Sequence, residues 1–131
     1  MKLLTRNTDY AIRALCIIAQ REKAVTPVSS LVKETKIPRC FLRKLLQILN
    51  QHGILESSKG KSGGFKLRKA PHTIYVLDII TIFQGKLKLN EHLFKNQICP
   101  NIERCKLKKI LDRLDRFVYD QLKIVTLDML Y

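Results

Sequence analysis

Between residues 28 and 69 the spacing of apolar side chains changes from helical to alternating, and one proline and a run of glycines mark the changes. In "VSSLVKETK" (28–36), Leu31 and Val32 fall on one face of a short helix. "KIP" interrupts it, because Pro38 cannot continue a helix but suits the start of the next. "RCFLRKLLQILNQ" (39–51) places Phe41, Leu42, Leu45, Leu46 and Leu49 at i, i+3, i+4 spacing. That leaves Arg39, Cys40, Arg43, Lys44, Gln47 and Asn50 mostly outward. Gly53 suits a helix C-terminus. "ILESS" and "GFKLRK" then flank "KGKSG", two short strands around a glycine-rich turn, and read as a hairpin.

The flanking segments complete the architecture. Residues 8–20, "TDYAIRALCIIAQ", align Ala11, Ala14, Leu15 and Ile18 on one stripe. Asn7 or Thr8 is the expected cap, and Asp9 sits near the positive end of the dipole. A further helix is expected over 75–83, and residues 85–103 have no clear period. From 104 to about 125, Leu107, Leu111, Leu114, Val118 and Val125 line up, with Ile110, Phe117, Leu122 and Ile124 beside them. "TLDMLY" reads as a short final helix capped by Thr126. An apolar face this broad is too much for a lone solvated helix and points to contact with another chain. The expected fold is mostly α with a small β-hairpin wing: a winged helix-turn-helix plus a long C-terminal dimerisation helix. The expected division is 1–84 for the winged head, 85–103 for a loop, and 104–131 for the dimerisation helix.

"GKS" within the hairpin invites a phosphate-cradling reading. A Walker loop needs a glycine five residues before its Gly-Lys pair, between a strand and a helix. Here Leu55 stands at that place before Gly60-Lys61-Ser62, and a strand follows instead of a helix. The stretch fits a wing better. Glycines 60, 63 and 64 permit positive φ and close backbone approach. Lys59 and Lys61 sit at the tip, where cations can follow phosphates or enter a minor groove.

The net charge is +14 and uneven. Residues 1–70 carry 15 Lys and Arg against 4 Asp and Glu, whereas residues 71–131 carry 10 against 7. Such asymmetry suits a polyanion on one half, with DNA or RNA ahead of an anionic membrane. No basic amphipathic helix with exposed aromatics favours a membrane surface. "VLDIITIF" is interrupted by Asp78 and falls far short of the ~20 residues of a span. The N-terminus reads as no signal peptide, so the expected location is cytoplasmic. No catalytic triad, paired-carboxylate site or phosphate loop supports an enzyme. The rival class is a protein-interaction module in which the winged head docks a partner enzyme; salt-sensitive retention on DNA separates the two.

In a helix-turn-helix the N-terminal residues of the second motif helix meet base edges. These are Arg39, Cys40 and Arg43, with Lys44 and Gln47 nearby. Arginine can hold guanine O6 and N7 together. Ser29, Ser30 and the region around Arg6 are candidate phosphate donors, with ordinary capping as the plainer role for the serines. Cys16 lies on an apolar face and reads as a small packed hydrophobe. Cys40, at a helix N-terminus near cations, is either a reactive thiol or a small residue facing the groove.

"TDYAIRAL", "IPRCFLRKLLQILNQHGIL" and "SSKGKSGGFKL" resemble the opening, recognition helix and wing of the Rrf-two family (IscR/NsrR/CymR-like) of bacterial winged-helix regulators. The likeness runs from Met1 to about Gly85 and resumes over the final helix. It implies a homodimer joined through that helix, bound to double-stranded DNA at a dyad-symmetric operator; the expected role is that of a repressor. Recognition helices would enter two major grooves and wings the flanking minor grooves. Lys59 stands where the family's wing often has arginine, which removes a planar fork.

The same likeness gives the loop a role. Many members bind an iron–sulfur cluster there through three cysteines with five residues between neighbours. Cys99 and Cys105 match the last two, but Leu93 stands in the first place, with His92 adjacent. Some members add the acid of the first-helix "DYA" from the partner subunit, here Asp9. The implied set is Asp9, His92, Cys99 and Cys105, suited to a labile [2Fe–2S] or other iron–sulfur cluster that reports iron–sulfur status, nitric oxide or redox state. Two other readings stand beside it: a thiol–disulfide switch between the two cysteines, or a cluster-free regulator controlled by a protein partner.

Overall fold

The computed structural model describes residues 2–89 and 99–131. Its elements follow in the order α1 (Arg6–Gln20), α2 (Val28–Thr35), α3 (Arg39–Gln51), β1 (Leu55–Ser58), β2 (Gly64–Leu67), a 3₁₀ turn (Pro71–Thr73), α4 (Val76–Gln84), α5 (Lys106–Leu122) and a final 3₁₀ turn (Leu127–Leu130). This is the mostly α architecture with a two-stranded wing that the periodicity implies.

Each helix of the head buries the stripe its sequence carries. Ala11, Ala14, Leu15 and Ile18 of α1 meet Leu31 of α2 and Leu42, Leu46 and Leu49 of α3, all fully buried. Burying one such leucine or isoleucine stabilises the fold by about 1.5–3 kcal/mol. Tyr10 and Phe41 add an edge-to-face contact between α1 and α3, with ring centroids 5.8 Å apart. Between α2 and α3 the chain turns through Lys36 in the left-handed region (φ 57°), while Ile37 drops into the core. Pro38 then stands as the N-cap residue of α3.

Two helix boundaries differ from those expected. The cap of α1 is Thr5, two or three residues earlier: its hydroxyl accepts from the Thr8 N–H at 3.4 Å. Thr8 is instead fully buried inside the first turn. At the far end, α5 stops at Leu122, although apolar residues continue through Ile124 and Val125. Ile124 stays exposed, and the chain returns to the head at Val125. The Val76 N–H donates to Val125 O at 3.0 Å, and the Leu127 N–H to Ile74 O at 2.9 Å. Leu127 is fully buried in the main core beside α1. Val125 and Leu127 are therefore bonded to the winged head, while Met129, Leu130 and Tyr131 stay exposed.

α5 itself buries no residue completely. Leu107, Ile110, Leu114 and Phe117 recur at three- and four-residue spacing and are 64, 51, 48 and 62% exposed. Its inner side touches α4, and Asp115 Oδ1 accepts the Leu89 N–H at 2.7 Å.

Candidate nucleic-acid interface

The exposed face of α3 carries one polar stripe. Arg39, Arg43, Gln47 and Asn50, at i, i+4, i+8 and i+11, lie opposite the leucines and line a groove of about 570 Å³. The other side of the groove is the wing, through Ser57, Ser58, Lys59, Gly60 and Lys61, and its end is closed by Pro27–Ser29 at the start of α2. No Asp or Glu lines it, and none of its four cations forms an ion pair among the described residues. An open, acid-free channel of this kind attracts a polyanion.

The wing holds this position through backbone pairing at two levels. β1 and β2 pair antiparallel, Leu55 opposite Leu67 and Ser57 opposite Phe65. On the outer side of β2, the chain before α2 adds a bridge: the Thr26 N–H donates to Phe65 O at 2.8 Å, and the Phe65 N–H to Thr26 O at 2.9 Å. Gly64 makes that approach feasible. A Cβ there would lie 2.1 Å from Thr26 O, far inside contact distance. Gly60 serves the turn, with φ +100° and open space around it.

Of the candidate residues, Arg39, Arg43, Lys59, Lys61 and Ser29 come together in the groove. Cys40 and Lys44 are exposed on α3 but outside the groove lining. Ser30 is engaged elsewhere: its hydroxyl accepts from Arg21 Nη1 at 2.8 Å, and Arg21 also pairs with Glu34, tying α1 to α2. Ser57 and Ser58 line the groove without having stood out in the sequence. Strand alternation opposite Phe65 is the one signal that could have found Ser57.

Of the loop residues, Cys99 and Cys105 are free, partly exposed thiols. Cys105 is the N-cap residue of α5, its Sγ accepting the Lys108 N–H at 3.4 Å. Asp9 pairs with Arg13 one turn along α1, at 3.0 Å. His92 and Leu93 lie outside the described residues. Among the described residues no three His, Cys, Asp or Glu side chains gather to hold a metal ion. Cys16 is half-buried, and burial pushes its thiol pKa up.

A recognition-type helix facing a cationic hairpin across an acid-free groove defines a winged helix-turn-helix protein. The chain belongs to the Rrf2 family: the family model described as "Iron-dependent Transcriptional regulator" matches residues 4–131. An HTH-type transcriptional regulator of Aquifex aeolicus is 37% identical over 97 residues, 74% of this chain and 67% of that protein. Two solved structures share the fold. CymR, the global cysteine regulator of B. subtilis, superposes with a TM-score of 0.77 at 23% identity, covering 99% of this chain and 96% of that one. T. potens IscR gives 0.75 at 23% identity, covering 99% and 86%. The chain is thus a member of a family of transcription regulators, not of enzymes.

Proposed function

We propose that this chain is a sequence-specific, homodimeric repressor that grips duplex DNA through the groove between α3 and the wing. The observation that carries the reading is the joint lining of one acid-free groove by Arg39 and Arg43 from α3 and Lys59 and Lys61 from the wing tip. Arg39 and Arg43 are suited to guanine edges, and Gln47 and Asn50 on the same stripe to adenine. Lys59, Lys61 and Ser29 serve phosphates, which fix register without reading sequence. Cys40 and Lys44 flank the stripe and reach DNA only where the duplex wraps past the groove. The exposed Leu107, Ile110, Leu114 and Phe117 would pack against the same face of a second copy, pairing two heads on a dyad. A cytoplasmic location follows from that role. The test is selection from a random duplex pool. A palindromic site should emerge, and its affinity should fall linearly with log salt at about −0.9 per phosphate neutralised. Enrichment of no sequence, or salt-independent retention, overturns the reading.

The sensing input is proposed at the loop. Cys99 and Cys105 have the donor chemistry for iron, and the Sγ of Cys105 already serves as an acceptor at the start of α5. His92 and Asp9 of the partner subunit would complete the set. A bound cluster would supply redox and nitric-oxide sensitivity at the point where α5 begins. Anaerobic purification with iron and sulfide counts tests this: two irons per chain are expected, lost in Cys99→Ser or Cys105→Ser. A colourless, iron-free dimer overturns it. The alternative is a cluster-free regulator controlled by a protein partner or by a disulfide between these thiols, supported by both being free and partly exposed.

A further inference from the structure

A second cleft, of about 630 Å³, lies behind the wing. The pleat of the hairpin separates it from the groove. Ser57 and Phe65, paired across the strands, line the groove, while the adjacent pair Glu56 and Lys66 lines the cleft. The end of α1 contributes Ala19, Glu22 and Lys23, and the chain leaving β2 contributes Leu67 to Pro71.

The lining combines two chemistries. Ala19, Leu67, Ala70 and Pro71 offer apolar surface, and Tyr131 stands at the same cleft. Lys23, Lys66, Arg68 and Lys69 outnumber Glu22 and Glu56. Lys66 reaches Glu56 at 3.9 Å, whereas Lys23, Arg68 and Lys69 form no ion pair among the described residues. The volume lies within the usual range of small-molecule sites, about 300–1,000 Å³.

We propose that this cleft binds a small organic anion, a carboxylate carried on an apolar body. The carboxylate would take the guanidinium fork of Arg68 and the ammonium of Lys69. The apolar body would cover Leu67, Ala70 and Pro71. Inorganic phosphate would leave the apolar part unused, and a DNA backbone would use the cations alone. The proposal stands apart from the DNA reading, because the ligand contacts the face of the hairpin turned away from the groove.

The test is a fluorine NMR titration of the full chain, without DNA, using para-trifluoromethylbenzoate as the probe. Saturable binding near the millimolar range is expected for a fragment of this size, about 13 heavy atoms. The uncharged para-trifluoromethylbenzamide should bind roughly fivefold more weakly, and so should the benzoate to an Arg68→Gln, Lys69→Gln double variant. Amide shifts should move at Leu67–Ala70 and Lys23 and stay fixed along α5, which locates the site even if the double variant folds poorly. No saturation by about 10 mM, equal binding of the benzamide, or shifts confined to α5 would overturn the assignment. Displacement of the probe by a non-palindromic duplex would give the cleft to DNA and overturn it too.

Discussion

The Thr8 hydroxyl donates to Gln84 Oε1 at 2.7 Å, joining the first turn of α1 to the last residue of α4 across 76 positions of sequence. The same oxygen accepts the Thr5 N–H at 3.0 Å, and Gln84 Nε2 donates to Leu3 O at 3.0 Å. One amide therefore satisfies the entry to α1 from outside the helix. Gln84→Leu removes those partners and leaves the buried Thr8 hydroxyl short of one. The expected loss is about 1–3 kcal/mol, read as a lower urea midpoint at unchanged slope.

At Gly64 any side chain collides with the backbone of Thr26. Gly64→Ala should destabilise by about 1–3 kcal/mol and sharply raise amide exchange at Phe65, whose N–H is bonded to Thr26 O. A Gly63→Ala control separates this effect from the turn, since Gly63 faces Ser58 O and Gly60 O instead.

Arg43 and Lys59 line the same groove but should fail differently. Arg43→Ala should cost about 1–3 kcal/mol on the selected site and relax preference at one base pair. Lys59→Ala should weaken all duplexes alike and lower the salt slope by about 1. Competition binding on a panel of single-base variants distinguishes the two.

Leu127 fills the head from beyond α5 and is fully buried. Leu127→Ala should cost about 2–5 kcal/mol, in the range of buried leucine truncations. Calorimetry should show one lowered transition for the whole head rather than loss of a separate C-terminal unit.

Cys16 and Cys40 should separate on alkylation. Burial raises the Cys16 pKa, so its thiolate is scarcer than usual at neutral pH and increases only above the ordinary thiol range. Peptide mapping after iodoacetamide should find exposed Cys40 labelled first. Unfolding in urea should remove the difference, and equal rates in the folded chain would contradict the burial.

The stretch from α2 through β2 was legible because its signals are local. Pro38, Gly53 and the leucine spacing of α3 act within a turn or two of themselves, and α3 runs over the expected residues. The start of α1 was not, because the hydroxyl that looked like a cap, Thr8, is claimed by distant Gln84. The end of α5 misled for a similar reason: Ile124 and Val125 continue an apolar pattern, yet Val125 is already bonded to Val76. In the interface, charge announced Arg39, Arg43, Lys59 and Lys61. Ser30 carried the same cue as Ser29, and only the Arg21–Glu34 pair across α1 and α2 separates them.

The segment after α5 rejoins the head through Val125 and Leu127, while Asp115 holds Leu89 near the middle of the same helix. α5 is thus tied at two places, to the head just past its end and to the loop at Leu89 near its middle. In a pair assembled on this helix, sliding by one turn, about 5.4 Å, would have to drag both heads along or extract Leu127. The distance between two recognition surfaces would then be set like a caliper, and a signal arriving at the front of α5 would tilt its jaws more readily than it would reset their gap.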